Sequence, residues 1–126
     1  MALKSAARRV WRAAYRAGGV KIRITQPDFT VEVKAVPGEN RFEVETEEGQ
    51  YQSFEDRDFL VLGESLISEE GGEQVLPVHG ARVELLDKDG EVIGTYSASH
   101  RLGERHYRWS DTYHTVLRIH TVESAV

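Results

Sequence analysis

The sequence predicts a mainly β fold, a small antiparallel β-barrel or sandwich preceded by one basic α-helix. Three observations predict it. Apolar and polar residues alternate with period two in several segments from Val20 onward, the pattern of strands buried on one face. Turn formers such as Gln26-Pro27-Asp28 and Asp89-Gly90 punctuate those segments, and Ala2 to Ala17 instead carries helical spacing. A chain of 126 residues has room for one modest core. The expected organisation is a basic helix over 1–19 and a single β-barrel domain over 20–126.

The helix is built from good helix formers, with Leu3, Ala7, Val10, Ala14 and Ala17 spaced onto one face and Gly18-Gly19 as its stop. Lys4, Arg8, Arg12 and Arg16 are each four apart and form a second stripe, with Trp11 and Tyr15 between the two. The small apolar face suits docking onto the helix's own domain. The stripe suits an acidic protein or nucleic-acid phosphate, because like charges at i,i+4 repel and call for a compensating partner. Membrane adsorption is disfavoured, since an alanine face buries too little area. An arginine-rich, acid-free start also mimics an organellar transit peptide, and the expectation is that it is retained.

Val20 to Thr25, Phe29 to Val36 and Arg41 to Thr46 alternate as half-buried strands, with Pro37-Gly38-Glu39-Asn40 and Glu47-Glu48-Gly49 as turns. Gln50 to Phe54 reads as a short strand. Phe59-Leu60-Val61-Leu62 follows the polar Glu55 to Asp58 as a continuous apolar run, expected to be a central strand buried on both faces. Gly63 to Pro77, with Glu69-Glu70-Gly71-Gly72-Glu73, lacks alternation and is expected to project as a mobile loop. Ala81 to Leu86 and Glu91 to Ala98 form a hairpin around Asp89-Gly90. After a polar loop over Ser99 to Arg105, the chain closes with a strand placing Thr115, Leu117 and Ile119 on one face and Arg118 and His120 on a wet one.

The net charge of −5 conceals a division. Met1 to Ile24 holds seven of the 16 basic residues and no acidic one, so the remainder has nine basic against 21 acidic, a balance of −12. The absence of cysteine excludes disulfides and thiolate metal sites and permits a reducing compartment. No apolar run is long enough to span a membrane, so a soluble protein is expected. His100, His106 and His114, near Asp111, match no ligand spacing. Asp87-x-Asp89-x-Glu91 begins like a calcium loop, but its twelfth position is Ala98 where a bidentate Glu is required. With no nucleophile elbow, no phosphate-cradling glycine loop and no distinguishable carboxylate pair, the expectation is no enzyme, no cofactor and no metal.

Arg108-Trp109-Ser110-Asp111 leading to Leu117-Arg118-Ile119-His120-Thr121 resembles the ending of small prophage and tailed-phage proteins encoded among head-to-tail joining genes. Asp58-Phe59-Leu60-Val61 and Leu76-Pro77-Val78-His79-Gly80-Ala81-Arg82-Val83 are similar to that group's middle, a strand followed by a Pro-x-x-Gly turn into another strand. The resemblance spans Arg57 to Thr121. It implies a head-closure, or stopper, protein of the phage neck: a small barrel in a hexameric or dodecameric homo-oligomeric ring, between portal or adaptor and tail. Packaged DNA would pass through without sequence-specific binding. The protein would be assembled in the host cytoplasm and reside in the virion.

On this reading Lys4, Arg8, Arg9, Trp11, Arg12, Tyr15, Arg16, Trp109, Arg118 and His120 meet partners, while Glu64, Glu69, Glu70 and Glu73 face channel or tail. The alternative is a small nucleic-acid-binding barrel that uses the basic helix against phosphates.

Overall fold

A computed structural model describes residues 2–45, 51–68, 71–100 and 105–123, with side chains except at 2–5, 39–45 and 51–56. Helix α1 (Ala2–Gly18) is followed by β1 (Val20–Gln26), β2 (Phe29–Glu45), β3 (Tyr51–Leu62), β4 (Arg82–Leu86), β5 (Val92–Ala98), β6 (Tyr107–Trp109) and β7 (Val116–Glu123). Six strands close into an antiparallel barrel in the order β3-β2-β1-β4-β5-β7, with β7 returning to β3. β6 pairs with β7 as well, Tyr107 to Trp109 lying opposite Ile119 to Leu117. The mainly β barrel with one N-terminal helix is therefore as the sequence predicts.

The barrel interior is filled by the inward parity of each strand: Ile22 and Ile24, Val33 and Ala35, Phe59 and Val61, Val83 and Leu85, Leu117 and Ile119. Tyr96 meets Phe59 edge-on, with ring centroids 5.6 Å apart. The β4–β5 hairpin turns as expected. Asp87 Oδ1 accepts the amides of Asp89 and Glu91, both at 2.9 Å, and Gly90 takes φ 86°, a conformation glycine adopts without a Cβ clash.

Four expectations are corrected. Pro37 to Asn40 is no turn: β2 runs straight through it, in unbroken register with β3 from Val36 opposite Leu60 to Glu45 opposite Tyr51. Proline is tolerated there because β1 pairs only with Phe29 to Ala35, which leaves one side of the strand without a ladder hydrogen bond to donate. Likewise, polar Glu55 to Asp58 does not separate two strands but lies within β3. The Glu47-Glu48-Gly49 turn lies outside the described residues.

The second correction concerns α1. Its alanine face does not dock: Val10 is 71% exposed, and Ala14 and Ala17 are exposed too. Trp11 is the anchor, 7% exposed and packed with Leu62 and Val116, with Tyr15, Val36 and Leu60 around it. Its indole Nε1 donates to the Leu60 carbonyl at 3.0 Å. One large aromatic ring with a satisfied N–H removes more apolar area from water than a row of methyl groups. This contact also explains the apolar run of β3, in which Phe59 and Val61 face the interior while Leu60 and Leu62 face the helix.

The third concerns β7. Thr115, Leu117 and Ile119 are buried as predicted, but the opposite face is not wet, since Val116 lies under the helix and His120 is 2% exposed.

Gly63 to Pro77 is more ordered than a projecting loop. Leu66 is buried in the main core, an isolated bridge joins Ile67 to Gln74, the Ser68 amide donates to the Glu73 carbonyl and the Gly72 amide donates to the Ser68 carbonyl. Residues 69–70, and 101–104 of the predicted polar loop, lie outside the described residues.

Candidate assembly interface

The outer wall of β2, β3 and β7 is where the residues of interest gather. Cross-strand pairing puts Leu62 opposite Val116, Leu60 opposite Arg118 and Asp58 opposite His120. Shared parity places all six on the outer face. At one end α1 covers the wall through Trp11. At the other, Asp58 is fully buried and its carboxylate accepts from Arg118 Nη1 at 2.8 Å, with His120 Nδ1 at 3.1 Å from its second oxygen. A buried carboxylate needs such partners, since an unpaired charge inside a protein is strongly destabilising.

The predicted contact residues divide accordingly. Arg9, Arg12 and Arg16 are exposed along the helix. Arg8 is tied to Glu64 by a 2.7 Å ion pair, so this pair fastens the helix to the segment after β3. Trp11 and His120 are covered by their own protomer, and Arg118 keeps 26% of its side chain exposed while bound to Asp58. Tyr15 is half-buried, stacked on Trp11 at 5.4 Å with the Lys34 ammonium 5.4 Å above its ring. The Lys4 side chain lies outside the described residues, as do Glu69 and Glu70, and Glu73 is exposed.

Trp109 is half-buried and stacks on His114, ring centroids 4.7 Å apart and planes within 1°. It also lies over Gly63, where an added Cβ would come within 2.7 Å of the indole. The turn between β6 and β7 is held by Asp111, whose Oδ1 accepts the amides of Thr115 and Val116 at 2.9 Å each. Burial alone would raise the Asp111 pKa. The backbone donors, Val116 foremost, outweigh it and hold the carboxyl below its ordinary value of 3.8.

Of the three histidines singled out in the sequence, His100 and His106 meet His79 instead of His114, with centroids 4.4 to 6.0 Å apart. Among the described residues no group of His, Asp and Glu is arranged to hold a metal ion.

Beside the helix runs an apolar groove lined by Ala7, Val10, Ala14, Val36, Leu60 and Val116, with Ser110 and Asp111 at its rim. Sequence reasoning missed it by assigning Ala7, Val10 and Ala14 to the buried side. It missed Asp58 as well, because a carboxylate inside a polar tetrapeptide gives no local sign of burial.

A family model described as phage head-tail joining protein matches residues 2–126. The chain belongs to the phage head-tail joining protein family. The match takes in the helix and all seven strands, so the likeness first traced on Arg57 to Thr121 extends over nearly the whole chain. No curated protein matches it. As a head-tail joining protein it serves where the phage head meets the tail, which implies contacts with head and tail components. Among the described residues no helix is long and apolar enough to cross a membrane.

Proposed function

We propose that this head-tail joining protein is a non-enzymatic structural component of the phage neck. In this reading it forms a homo-oligomeric ring between portal or adaptor and tail, and acts as the stopper that closes the DNA-filled head. The observation that carries the reading is the placement of charge: Arg9, Arg12 and Arg16 stand exposed on a helix outside the barrel, while the body from Thr25 onward is strongly acidic. A ring that lets DNA pass should repel phosphate rather than grip it, because basic lining residues add salt-dependent affinity for any sequence. A helix docked on the outside of an acidic body, with Arg9, Arg12 and Arg16 exposed, offers a complementary patch to an adjoining protein ring.

Electron microscopy of the neck in the native particle tests this. The expected result is several copies of this barrel around the head–tail axis, between portal or adaptor and tail. A single copy, or a position elsewhere in the particle, overturns it. The nucleic-acid-binding alternative gives the opposite solution behaviour: steeply salt-dependent binding to duplex DNA that disappears in Arg9→Ala/Arg12→Ala/Arg16→Ala.

A further inference from the structure

One side of α1 gathers cations that no carboxylate among the described residues pairs with. Between this side of the helix and the outer face of β2 lies a cleft of about 600 Å³, bordered by Trp11, Arg12, Tyr15, Arg16, Lys34 and Ser65. Arg12 and Arg16 stand one turn apart on the helix, both exposed. Across the cleft, the register of β1 and β2 sets Lys21 directly opposite Lys34, both exposed as well. The Lys34 ammonium lies over the Tyr15 ring, which brings it to the helix side.

Like charges at i,i+4 on a helix and like charges directly opposite in a sheet each destabilise a fold. This chain sets the two side by side, although its acidic residues outnumber its basic ones by 21 to 16. The acidic groups nearby are engaged elsewhere. Glu32, the one carboxylate bordering the cleft, is held by Arg23 at 3.2 Å, and Glu64, next to Ser65, by Arg8 at 2.7 Å. Asp87 and Asp89 border only a second cavity beyond Lys21, and Asp87 is occupied by the amides of its own turn. Among the described residues Arg12, Arg16, Lys21 and Lys34 form no ion pair.

We propose that this cleft receives an acidic segment of an adjoining head or tail component. Carboxylates about 6–7 Å apart, as at i,i+4 on a helix or i,i+2 on a strand, match Arg12 and Arg16 in turn, with Lys34 closing from the opposite wall. The buried Trp11 and Leu62 give the recess an apolar floor for the methylenes of a glutamate. Nucleic acid is the poorer occupant. A body with nine basic against 21 acidic residues after Ile24 repels a long polyanion over its whole length, whereas a short segment meets only the field inside the cleft.

The inference rests on the neck reading above, and the test separates the two. The isolated full-length protein is titrated with an acetylated, amidated hexaglutamate peptide and with duplex DNA, followed by amide NMR. The expected result is peptide binding with shifts concentrated at Tyr15, Arg16, Lys34 and Ser65. Arg16→Glu/Lys34→Glu should weaken it about tenfold. Arg105→Glu/Arg108→Glu, the same change of charge at exposed positions outside the cleft, should leave it unchanged.

No binding, or equal loss in both variants, overturns the cleft and leaves the neck reading untouched. Tighter binding of the duplex, lost in Arg16→Glu/Lys34→Glu, gives the cleft to phosphate and overturns the acidic segment. A chain found elsewhere in the particle removes the head and tail partners, whatever the peptide does.

Discussion

The two faces of the β3–β7 pair are made by the same residues in alternation, yet they are closed by different means. The inner face, Phe59 and Val61 against Ile119 and Leu117, is covered by the other strands of the barrel and holds only apolar side chains along this stretch. The outer face lies outside the barrel's closure. It is covered at one end by Trp11 of the helix and is neutralised at the other by the Asp58–Arg118–His120 group. Closure of a barrel buries its inside automatically, whereas an outside wall becomes buried only where a specific added group reaches it. The outer face is accordingly the one that can be opened without dismantling the fold.

Phe59→Ala should have the largest effect, about 3–5 kcal/mol, because it leaves a cavity among close-packed strands and removes the ring contact with Tyr96. Urea unfolding should shift as one transition, with helix and strand signals moving together. Trp11→Ala should come next, about 3 kcal/mol, since the indole lies at the border of the fold and its neighbours can partly settle. Here amide exchange should separate the faces: α1 amides lose protection while those of β1, β4 and the inner rungs of β3 keep theirs. Equal loss throughout would show that both faces belong to one cooperative unit.

Asp58→Ala should cost about 2–3 kcal/mol, below the full penalty for breaking a buried pair because Arg118 can turn towards water. Asp58→Asn keeps an acceptor for one partner and should cost less, read from the same urea midpoints. If the two variants are equal, the carboxylate's charge rather than its hydrogen bonds sets the cost.

This contrast also explains how far the sequence could be read. The inner face was legible because alternation within each strand announces it, and the hairpin at Asp87 to Gly90 was legible from turn chemistry confined to a few residues. The outer face depends on partners far apart in the chain, Trp11 with Leu60 and Asp58 with Arg118, and no local pattern carries that information.

The length of β2 was hidden for a related reason. Apolar parity changes from Phe29, Val31, Val33 and Ala35 to Phe42 and Val44, which looks like a new strand after a Pro-Gly turn. It is one strand leaving the barrel, beyond which the inner face has no interior to fill. The exposed arginines of the candidate interface were legible as a charge stripe. Which helical face docks was not, because one tryptophan outweighs several alanines.

The smallest effect belongs to the turn that decides which side of β7 faces in. A one-residue slip there would exchange the two faces and send Leu117 and Ile119 outward. Asp111 opposes it by accepting the amides of Thr115 and Val116, the entry to the strand, while His114 takes a left-handed φ of 55° to make the corner. Asp111→Ala should cost about 1 kcal/mol at neutral pH.

Because the folded carboxyl titrates below its ordinary value of 3.8, its contribution is fully present above that value and is lost as pH falls through the lower, folded one. The stability gap between the natural protein and Asp111→Ala should thus be constant from neutral pH down to about pH 5 and narrow in stronger acid. A gap that persists unchanged at low pH would mean that the uncharged carboxyl holds the turn equally well, and that the register of β7 is set by packing under Trp11 rather than by this anion.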